Sequence, residues 1–285
     1  MHTGGGHAHA AMATPDASPR GMVRSLFVHR RLIWQLARRD VLGRYRGSFL
    51  GLAWSLVTPL LMLAVYTFVF AVIFGSHWNA DAIAGSRLDY ALILFAGLLP
   101  FNLFAEGFNR APTLILGNAN YVKRVVFPLE VLPVAALLAA LFHMLIALLA
   151  WAVLAMFVLH GLPLTLVLLP LALAPLLLGT LGAMWALASL GVYVRDIGQL
   201  TAIIVTVLLF VSAIFYPLIS VPEPYRGWMA LNPMSAVIEA TRALLVFGRM
   251  PDWPALALCW LGGIAAACAG WWWFQKTRTG FADVL

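Results

Sequence analysis

Residues 38–60 read RRDVLGRYRGSFLGLAWSLVTPL and place a cluster of charge directly before an apolar segment. Four arginines and one aspartate occupy the first nine positions, and the chain then turns apolar almost without a break. A basic stretch of this kind could be a nucleic-acid arm, a membrane-surface anchor or a docking site for an acidic partner. The composition of the rest of the chain decides among these readings.

The overall composition is that of an integral membrane protein. The chain has 285 residues, of which 63% are hydrophobic and 10% charged, and its mean hydropathy is +0.92. Soluble domains are about 45–50% apolar and about 25% charged. Uncharged apolar runs of roughly 20 residues recur along the sequence, which is the length that crosses a bilayer core. The first residues lack a continuous apolar stretch, so we expect no cleavable signal peptide.

The apolar runs predict an all-α integral membrane protein with six membrane-spanning helices. The predicted spans cover about residues 51–74, 90–110, 133–158, 164–192, 198–219 and 254–274. Pro100 interrupts the second run, and Pro170 and Pro175 predict kinks in the fourth. Residues 220–252 are too long for a simple connector. They predict a pair of short re-entrant helices before the last span.

The distribution of Arg and Lys predicts the orientation. Most of these residues fall on the side that would hold both termini, and the opposite side has only Arg87, Arg226, Arg242 and Arg249. Because cytoplasmic loops are enriched in Lys and Arg, we expect both termini on the cytoplasmic side of the cytoplasmic membrane of a bacterium.

The region before the first span divides into two segments. Residues 1–20 are small and glycine-rich and predict a disordered tail, whose His2, His7 and His9 lack a fixed scaffold for a metal ion. Residues 21–48 predict an amphipathic helix on the cytoplasmic membrane surface. Its apolar positions recur at helical spacing: Leu26, Ile33, Ala37, Val41 and Tyr45. The alternative is a plain basic flank without a docking role. Nucleic-acid binding is disfavoured because the helix adjoins a membrane span.

Sequence motifs give no sign of an enzyme. The two lysines, Lys123 and Lys276, do not follow a glycine, so the chain has no phosphate-binding loop. We therefore expect no catalytic residue, no metal site and no cofactor on this chain.

Three polar residues share one face of the second predicted span: Asn102, Glu106 and Asn109. Ionisable groups at membrane depth commonly face a bundle interior or a wet cavity. This stripe is either part of a transport path or a helix–helix contact, for which a Glu106–Arg110 pair one turn apart is the simplest form.

The segment NANYVKRVVFPLEVLP at residues 118–133 mixes cations, aromatic residues and one glutamate between two predicted spans. It predicts either a short interfacial helix that contacts a cytoplasmic partner or a structural turn.

Several stretches together resemble the transmembrane subunit of type-2 ABC exporters, in the branch that moves O-antigen, capsular polysaccharide or teichoic acid. They are LARRDVLGRYRGSFLGLAWSLVTPLL at 36–61, FAGLLPFNLFAEGFNRAPTLILGNANYVKRVVFPLEVLP at 95–133, VYVRDI at 192–197 and LNPMSAVIEATRALLVFG at 231–248. The resemblance implies a homodimer around a central channel, bound to two copies of a separate nucleotide-binding subunit that carries ATP and Mg²⁺. The cargo implied is an undecaprenyl-linked polysaccharide.

The resemblance also implies roles for particular residues. It places the ATPase-coupling contacts at Asn118, Tyr121, Lys123, Arg124, Phe127, Pro128, Glu130, Arg195 and Asp196. It places an interface helix or gate at Arg38, Arg39, Arg44 and Arg46. Because sugar rings stack on aromatic faces, the candidate glycan contacts are Tyr66, Phe70, Phe74, Phe210, Phe215 and Tyr216. These rings could equally face lipid or pack between helices.

Two other functions remain open from the sequence. One is a type-2 exporter of a smaller drug or lipid cargo, and the other is an ATP-independent membrane enzyme or scaffold. A neighbouring gene for an ABC ATPase, beside glycosyltransferase genes, would favour the polysaccharide exporter.

Overall fold

The computed structural model describes residues 16–73, 87–122 and 127–285, and all regular secondary structure within these ranges is helical. The α-helices are α1 (Pro19–Val28), α2 (Arg30–Arg44), α3 (Trp54–Thr67), α4 (Arg87–Arg110), α5 (Ala119–Val122), α6 (Val131–Val158), α7 (Leu169–Tyr193), α8 (Ile197–Val211), α9 (Glu223–Ala230), α10 (Pro233–Leu245), α11 (Trp253–Thr277) and α12 (Phe281–Val284).

Five helical segments in the described ranges are long and apolar enough to cross a membrane. They are Gly51–Phe70, Arg87–Thr113, Val131–Val158, Leu164–Tyr193 and Trp253–Val284. They coincide with five of the six predicted spans, so the all-α membrane fold is confirmed. Between α2 and the first of them the chain turns at Gly47 and Gly51, whose φ angles of 83° and 51° favour glycine.

The fifth predicted span is a shorter helix. α8 has 15 residues, which gives a length of about 22 Å, less than the roughly 30 Å of a bilayer core. The chain leaves the helix at Ser212, and Ala213 takes a positive φ of 52°. The helix therefore ends before the predicted boundary at 219. The backbone that follows it is held by a buried side chain of α10, as described below.

α4 lies at the centre of the bundle. Its residues 89–101 are all buried, and it packs against α3, α6, α7, α8 and α10. Pro100 lies within the helix without ending it, so the predicted interruption of this span is absent. A proline is tolerated in a membrane helix when neighbouring groups satisfy the freed carbonyl.

α7 and α11 approach each other closely along a line of small residues. A Cβ atom added at Gly182 would overlap the backbone of Ala266, and one at Gly270 would overlap the backbone of Gly182. A Cβ at Gly263 would likewise overlap the carbonyl of Pro175. Small residues allow membrane helices to pack backbone to backbone, which compensates for the absence of a hydrophobic driving force in lipid.

The predicted interface helix consists of two helices, because a turn at His29 separates α1 from α2. Ile33, Ala37 and Val41 of its apolar stripe are buried, and α2 packs along α6. The stripe therefore faces protein, not lipid as we expected from its pattern. Trp34, which is 67% exposed, lies on the outward face.

The start of this region also corrects the predicted tail. Ser18 caps α1 by accepting a hydrogen bond from the Gly21 N–H, and Trp271 Nε1 donates to the carbonyl of Asp16 over 3.2 Å. Residues 16–20 are thus part of the fold. Residues 1–15, including the three tail histidines, lie outside the described residues.

The predicted pair of short helices before the last span is present as α9 and α10. Asn232 caps α10 by accepting a hydrogen bond from the Met234 N–H, and Pro233 occupies the first turn. The apolar side chains of α10 at Met234, Val237 and Ile238 are buried. α10 packs on α4 and α7, so its apolar face is covered by protein.

Candidate functional site at the junction of α2, α4 and α6

The Glu106 carboxylate of α4 contacts an arginine and a histidine from two other helices. The distance from Arg44 Nη2 to Glu106 Oε1 is 2.8 Å, and that from His143 Nδ1 to the same oxygen is 2.9 Å. Arg44 ends α2 and His143 lies in α6, so the three side chains join three helices. The ring of Tyr45 meets that of His143 edge to face, with centroids 5.9 Å apart.

The simple pair within α4 does not form. Arg110 instead makes a salt bridge to Asp40 of α2. Of the two readings of the polar stripe, the helix–helix contact is therefore present at Glu106, but its partners come from α2 and α6. The result is two charged contacts that fasten α2 to the end of α4.

A cavity of about 340 Å³ lies beside Glu106, between α3, α4 and α6. We refer to it as the α3–α4–α6 cavity. Arg44, Tyr45, Glu106 and His143 line it where α2 ends. The rest of its wall is formed by Trp54, Ser55, Thr58, Pro59, Met62, Tyr66, Phe95, Leu98, Leu99, Asn102, Leu103, Ala140, Met144 and Ala147. The cavity therefore combines charged and amide groups with aromatic rings.

The other two members of the polar stripe are accessible. Asn102 and Asn109 are both exposed, although residues 89–101 of the same helix are buried. Asn102 lines the cavity, whereas Asn109 is outside its lining. In the described part of the chain neither side-chain amide makes a hydrogen bond, so both retain their donors and acceptors.

The segment predicted to couple to an ATPase contains one helical turn, α5, which contacts α2 through side chains. Arg39 Nη1 donates to the Tyr121 hydroxyl over 2.6 Å, and the Tyr121 ring stacks on Phe127 with centroids 4.3 Å apart. Asn118 Nδ2 donates to the Leu114 carbonyl, and Pro128 follows Phe127 as the chain turns into α6. Lys123 and Arg124 lie outside the described residues.

Glu130, at the end of this segment, is buried. Its carboxylate accepts hydrogen bonds from the Ser25 hydroxyl of α1 over 3.0 Å and from Arg278 Nη1 over 2.9 Å. Its carbonyl accepts from Trp185 Nε1 of α7. Only 5% of the residue is exposed. Through these contacts Glu130 links α1 to the segment that follows α11.

The remaining predicted coupling and gate residues are all exposed but differ in their contacts. Arg195 and Asp196 form the exposed turn between α7 and α8, and Asp196 precedes α8 without a side-chain capping bond. Arg38, Arg39, Arg44 and Arg46 are all exposed, and Arg39 and Arg44 also contact Tyr121 and Glu106.

Five of the six candidate glycan-contact aromatics gather around Phe215, and Phe74 lies outside the described residues. Phe70 stacks on Phe215 with centroids 4.3 Å apart, and Tyr66 meets it edge to face at 5.3 Å. Phe210 approaches it at 5.7 Å, and the Tyr216 hydroxyl donates to the Phe210 carbonyl. Phe215 itself is only 3% exposed, whereas Phe210 is 54% exposed. The cluster thus has a packed centre and an accessible edge.

Sequence reasoning missed two residues of this arrangement. His143 is an imidazole in an otherwise apolar helix, and that isolation is a signal for an intramembrane functional group. The sequence places Arg242 only among the few cations on the side opposite the termini, yet it is completely buried. The apolar neighbours of Arg242 at helical spacing, Ile238 and Leu245, were the available sign that its face is buried.

Among the described residues, no group of three His, Cys, Asp or Glu side chains lies close enough together to hold a metal ion.

Comparison with known proteins identifies the class. The family model described as "ABC-2 type transporter" matches residues 31–246, well over half of the chain. The chain belongs to the ABC-2 type transporter membrane family, and it is a multi-pass membrane protein.

Individual relatives match nearly the full length. The chain is 28% identical over 266 residues to the "O-antigen export system permease protein RfbA" of Myxococcus xanthus, with 93% of this chain and 99% of that protein covered. It is 24% identical over 257 residues to a protein of the same name from Klebsiella pneumoniae, with 89% and 95% covered. It is also 25% identical over 237 residues to the "Polysialic acid transport protein KpsM" of Escherichia coli, with 81% and 88% covered.

Proposed function

We propose that this chain is the channel-forming permease subunit of an ATP-driven exporter that moves a lipid-linked polysaccharide across the bacterial cytoplasmic membrane. The observation that carries this proposal is that relatives matched over 93% and 81% of the chain are O-antigen and polysialic acid transport proteins. Both names denote glycans, which favours a glycan over a drug or a small lipid as cargo.

The channel in this proposal lies between two copies of the chain. Gly51–Phe70 is the least buried candidate span, with 11% of its window buried, against 33% or more in the others. α8 also leaves Ile203, Val207 and Phe210 exposed. Two such faces, from two copies, would enclose a path with Phe210 and the neighbouring aromatic cluster on its wall. Aromatic faces stack on sugar rings without demanding one particular sugar.

ATP hydrolysis in this proposal takes place on a separate nucleotide-binding subunit. That subunit would contact α5 and the exposed turn at Arg195 and Asp196, since both occupy the predicted cytoplasmic side. Movement of α5 would reach the bundle through α2, because Arg39 binds Tyr121 while Asp40 and Arg44 of the same helix bind Arg110 and Glu106. Buried Glu130 holds the end of the segment in place and is assigned a positioning role.

Reconstitution tests the cargo assignment. The chain and the ABC ATPase encoded beside its gene are purified together into nanodiscs, and ATPase activity is measured with lipid-linked glycans, phospholipids or drug-like amphiphiles added. We expect stimulation by a lipid-linked glycan. Stimulation by phospholipid or amphiphile alone would instead support an exporter of smaller cargo, and absence of any associated ATPase would contradict the proposal.

The partner contact has its own test. The double charge reversal Arg195→Glu with Asp196→Lys alters an exposed turn. In the described part of the chain, the two side chains make no hydrogen bond or salt bridge to another residue. We expect it to lower the amount of ATPase that co-purifies by about tenfold, as expected when about 1.4 kcal/mol of binding free energy is lost. Arg249→Glu is the matched control, since Arg249 is also exposed but lies on the predicted opposite side. Equal co-purification of both variants would contradict this contact.

A further inference from the structure

We propose that the α3–α4–α6 cavity is a binding subsite for one pyranose unit of the exported glycan. The inference rests on the proposed function for the identity of the cargo, but the chemistry of the cavity wall supports a sugar independently. The site lies within one protomer, in contrast to the channel proposed between two protomers.

The cavity wall carries the groups that bind a sugar ring. Asn102 supplies an amide with two donors and an acceptor, and the Glu106 carboxylate is a strong acceptor for hydroxyl groups. Trp54 and Tyr66, both on α3, contribute aromatic rings to the wall. Sugar recognition requires this pairing, because a pyranose has polar hydroxyl groups at its edge and C–H groups on its faces. The volume of about 340 Å³ is at the small end of ligand pockets, which suits a single ring.

Glu106 is oriented for this role. Arg44 and His143 bind the carboxylate at 2.8 Å and 2.9 Å and fix its position. A carboxylate has about four acceptor positions, so capacity remains for a hydroxyl group of a ligand. The side chain is 19% exposed and lines the cavity.

Asn102 points to a polar occupant. Polar side chains within a membrane span are costly and are commonly kept for a function. Residues 89–101 of α4 are buried. Asn102 is the first exposed residue after them, and it lines the cavity. An acyl chain in this space would leave the Asn102 amide and the Thr58 hydroxyl without partners. A free phosphate could bind Arg44, but Arg44 is already paired with Glu106, whose carboxylate lines the same cavity and repels an anion. A neutral sugar can hydrogen bond to the Asn102 amide and the Thr58 hydroxyl without being repelled by the Glu106 carboxylate.

The position of the cavity also connects it to α2. Arg44 binds Glu106 at the cavity wall, and Arg39, on the same helix, binds Tyr121 of α5. A sugar that hydrogen bonds to Glu106 therefore contacts the same charged cluster that anchors the helix joined to the proposed ATPase contact.

Cysteine protection tests the subsite in the complex with the ATPase in nanodiscs. Thr58→Cys is introduced after Cys259 and Cys268 are replaced by alanine, and its rate of modification by a water-soluble thiol reagent is measured. The probes are the methyl pyranosides of glucose, galactose, mannose, rhamnose and N-acetylglucosamine. At ten times its Kd, a glycoside that fills the cavity leaves it free about a tenth of the time, so we expect labelling to slow about tenfold. Ala282→Cys on α12, exposed on the predicted cytoplasmic side and outside the cavity lining, reports any effect that does not depend on the cavity.

Two amide variants complete the design. Asn102→Leu keeps the side-chain volume and removes the hydrogen bonds, so we expect about a tenfold rise in the Kd of the protecting glycoside. Asn109→Leu makes the same change on the same helix outside the cavity lining and leaves protection unchanged. Protection by dodecanol but by none of the glycosides would overturn the proposal, and so would equal protection in the wild-type protein and Asn102→Leu.

Export of surface glycan by the wild-type chain, in a strain that lacks it, separates the two proposals. If the wild type exports glycan and Thr58→Cys is never protected, the subsite is wrong and the exporter function stands. If glycosides protect Thr58→Cys but no glycan is exported, the sugar subsite stands and the exporter function is wrong.

Discussion

Arg242 is a fully buried cation that holds together three parts of the backbone. Its Nη1 donates to the carbonyl of Ala213 over 2.8 Å, its Nη2 donates to that of Ile214, and its Nε reaches that of Ile93 at 3.3 Å. Glu239, one turn earlier, accepts from the same guanidinium at 2.8 Å. Non-helical backbone inside a membrane bundle needs such donors, because no water is available to satisfy its carbonyls. The chain can therefore leave α8 at Ser212 without leaving those groups unpaired.

Replacing Arg242 by methionine is expected to destabilise the protein strongly. Each buried carbonyl left without a donor costs about 1–3 kcal/mol, so the loss should reach about 3 kcal/mol or more. That corresponds to a fall of roughly 6–12 °C in the apparent melting temperature, measured by thermal unfolding in nanodiscs. Arg226→Met is the control, because Arg226 also donates to two carbonyls but is only half-buried. A fall of the same size in both variants would contradict a special role for the buried site.

The charged residues show what sequence can and cannot predict at this scale. The position of Glu106 within an apolar run was enough to mark it as a polar group needing partners. Its partners could not be derived from helical spacing, because Arg44 and His143 are far away in sequence and meet it only when α2 and α6 pack on α4. Arg110, the partner that spacing favours, is taken by Asp40. Local rules identify the group, and tertiary packing selects the contact.

At the scale of helices, the pair α7 and α11 depends on residues without side chains. Gly182 and Gly270 lie where any Cβ atom would meet the backbone of the other helix. Lipid is as apolar as the helix surface, so the association depends on close packing and is lost when the backbones are held apart.

Gly182→Ala tests this dependence with the smallest possible change. The added methyl group would overlap the backbone of Ala266, which cannot rotate away as a flexible side chain could. We expect the helices to separate slightly at a cost of about 1–3 kcal/mol, seen as a lower apparent melting temperature. Gly262→Ala is the matched control on α11, since nothing lies within 4 Å of a Cβ added there. A Gly182→Ala protein as stable as Gly262→Ala would show that the helices pack differently.

Hydropathy predicted the helices well where the apolar run was long and continuous. It failed at the end of α8, because residues 212–219 are as apolar as a helix interior while the carbonyls of Ala213 and Ile214 are bound by Arg242 of α10. It also assigned the α2 stripe to lipid. A pattern of apolar residues shows that one helix face is buried, but protein and lipid produce the same pattern.

For the whole molecule, the sequence predicts an orientation that the fold is compatible with but does not determine. The excess of Arg and Lys on the side of both termini remains the basis for placing them in the cytoplasm. Oligomeric state is more difficult to derive from sequence, because an exposed apolar residue on a membrane helix can meet lipid or a second copy. The structure favours the first span as a contact with a second copy, since it is much less buried within the protomer than the other candidate spans.

The low burial of the first span leads to a prediction about assembly. If α3 and α8 form the contact between two copies, single cysteines on their exposed faces should cross-link across the dimer axis when Cys259 and Cys268 are replaced by alanine. We expect disulfide-linked dimers from Leu61→Cys or Val207→Cys, at positions that are 55% and 54% exposed, under mild oxidation in native membranes. Leu149→Cys on α6, although 67% exposed, should remain monomeric because that face meets lipid in the proposed dimer. Cross-linking of Leu149→Cys alone would place the partner, and with it the channel, on the opposite side of the bundle.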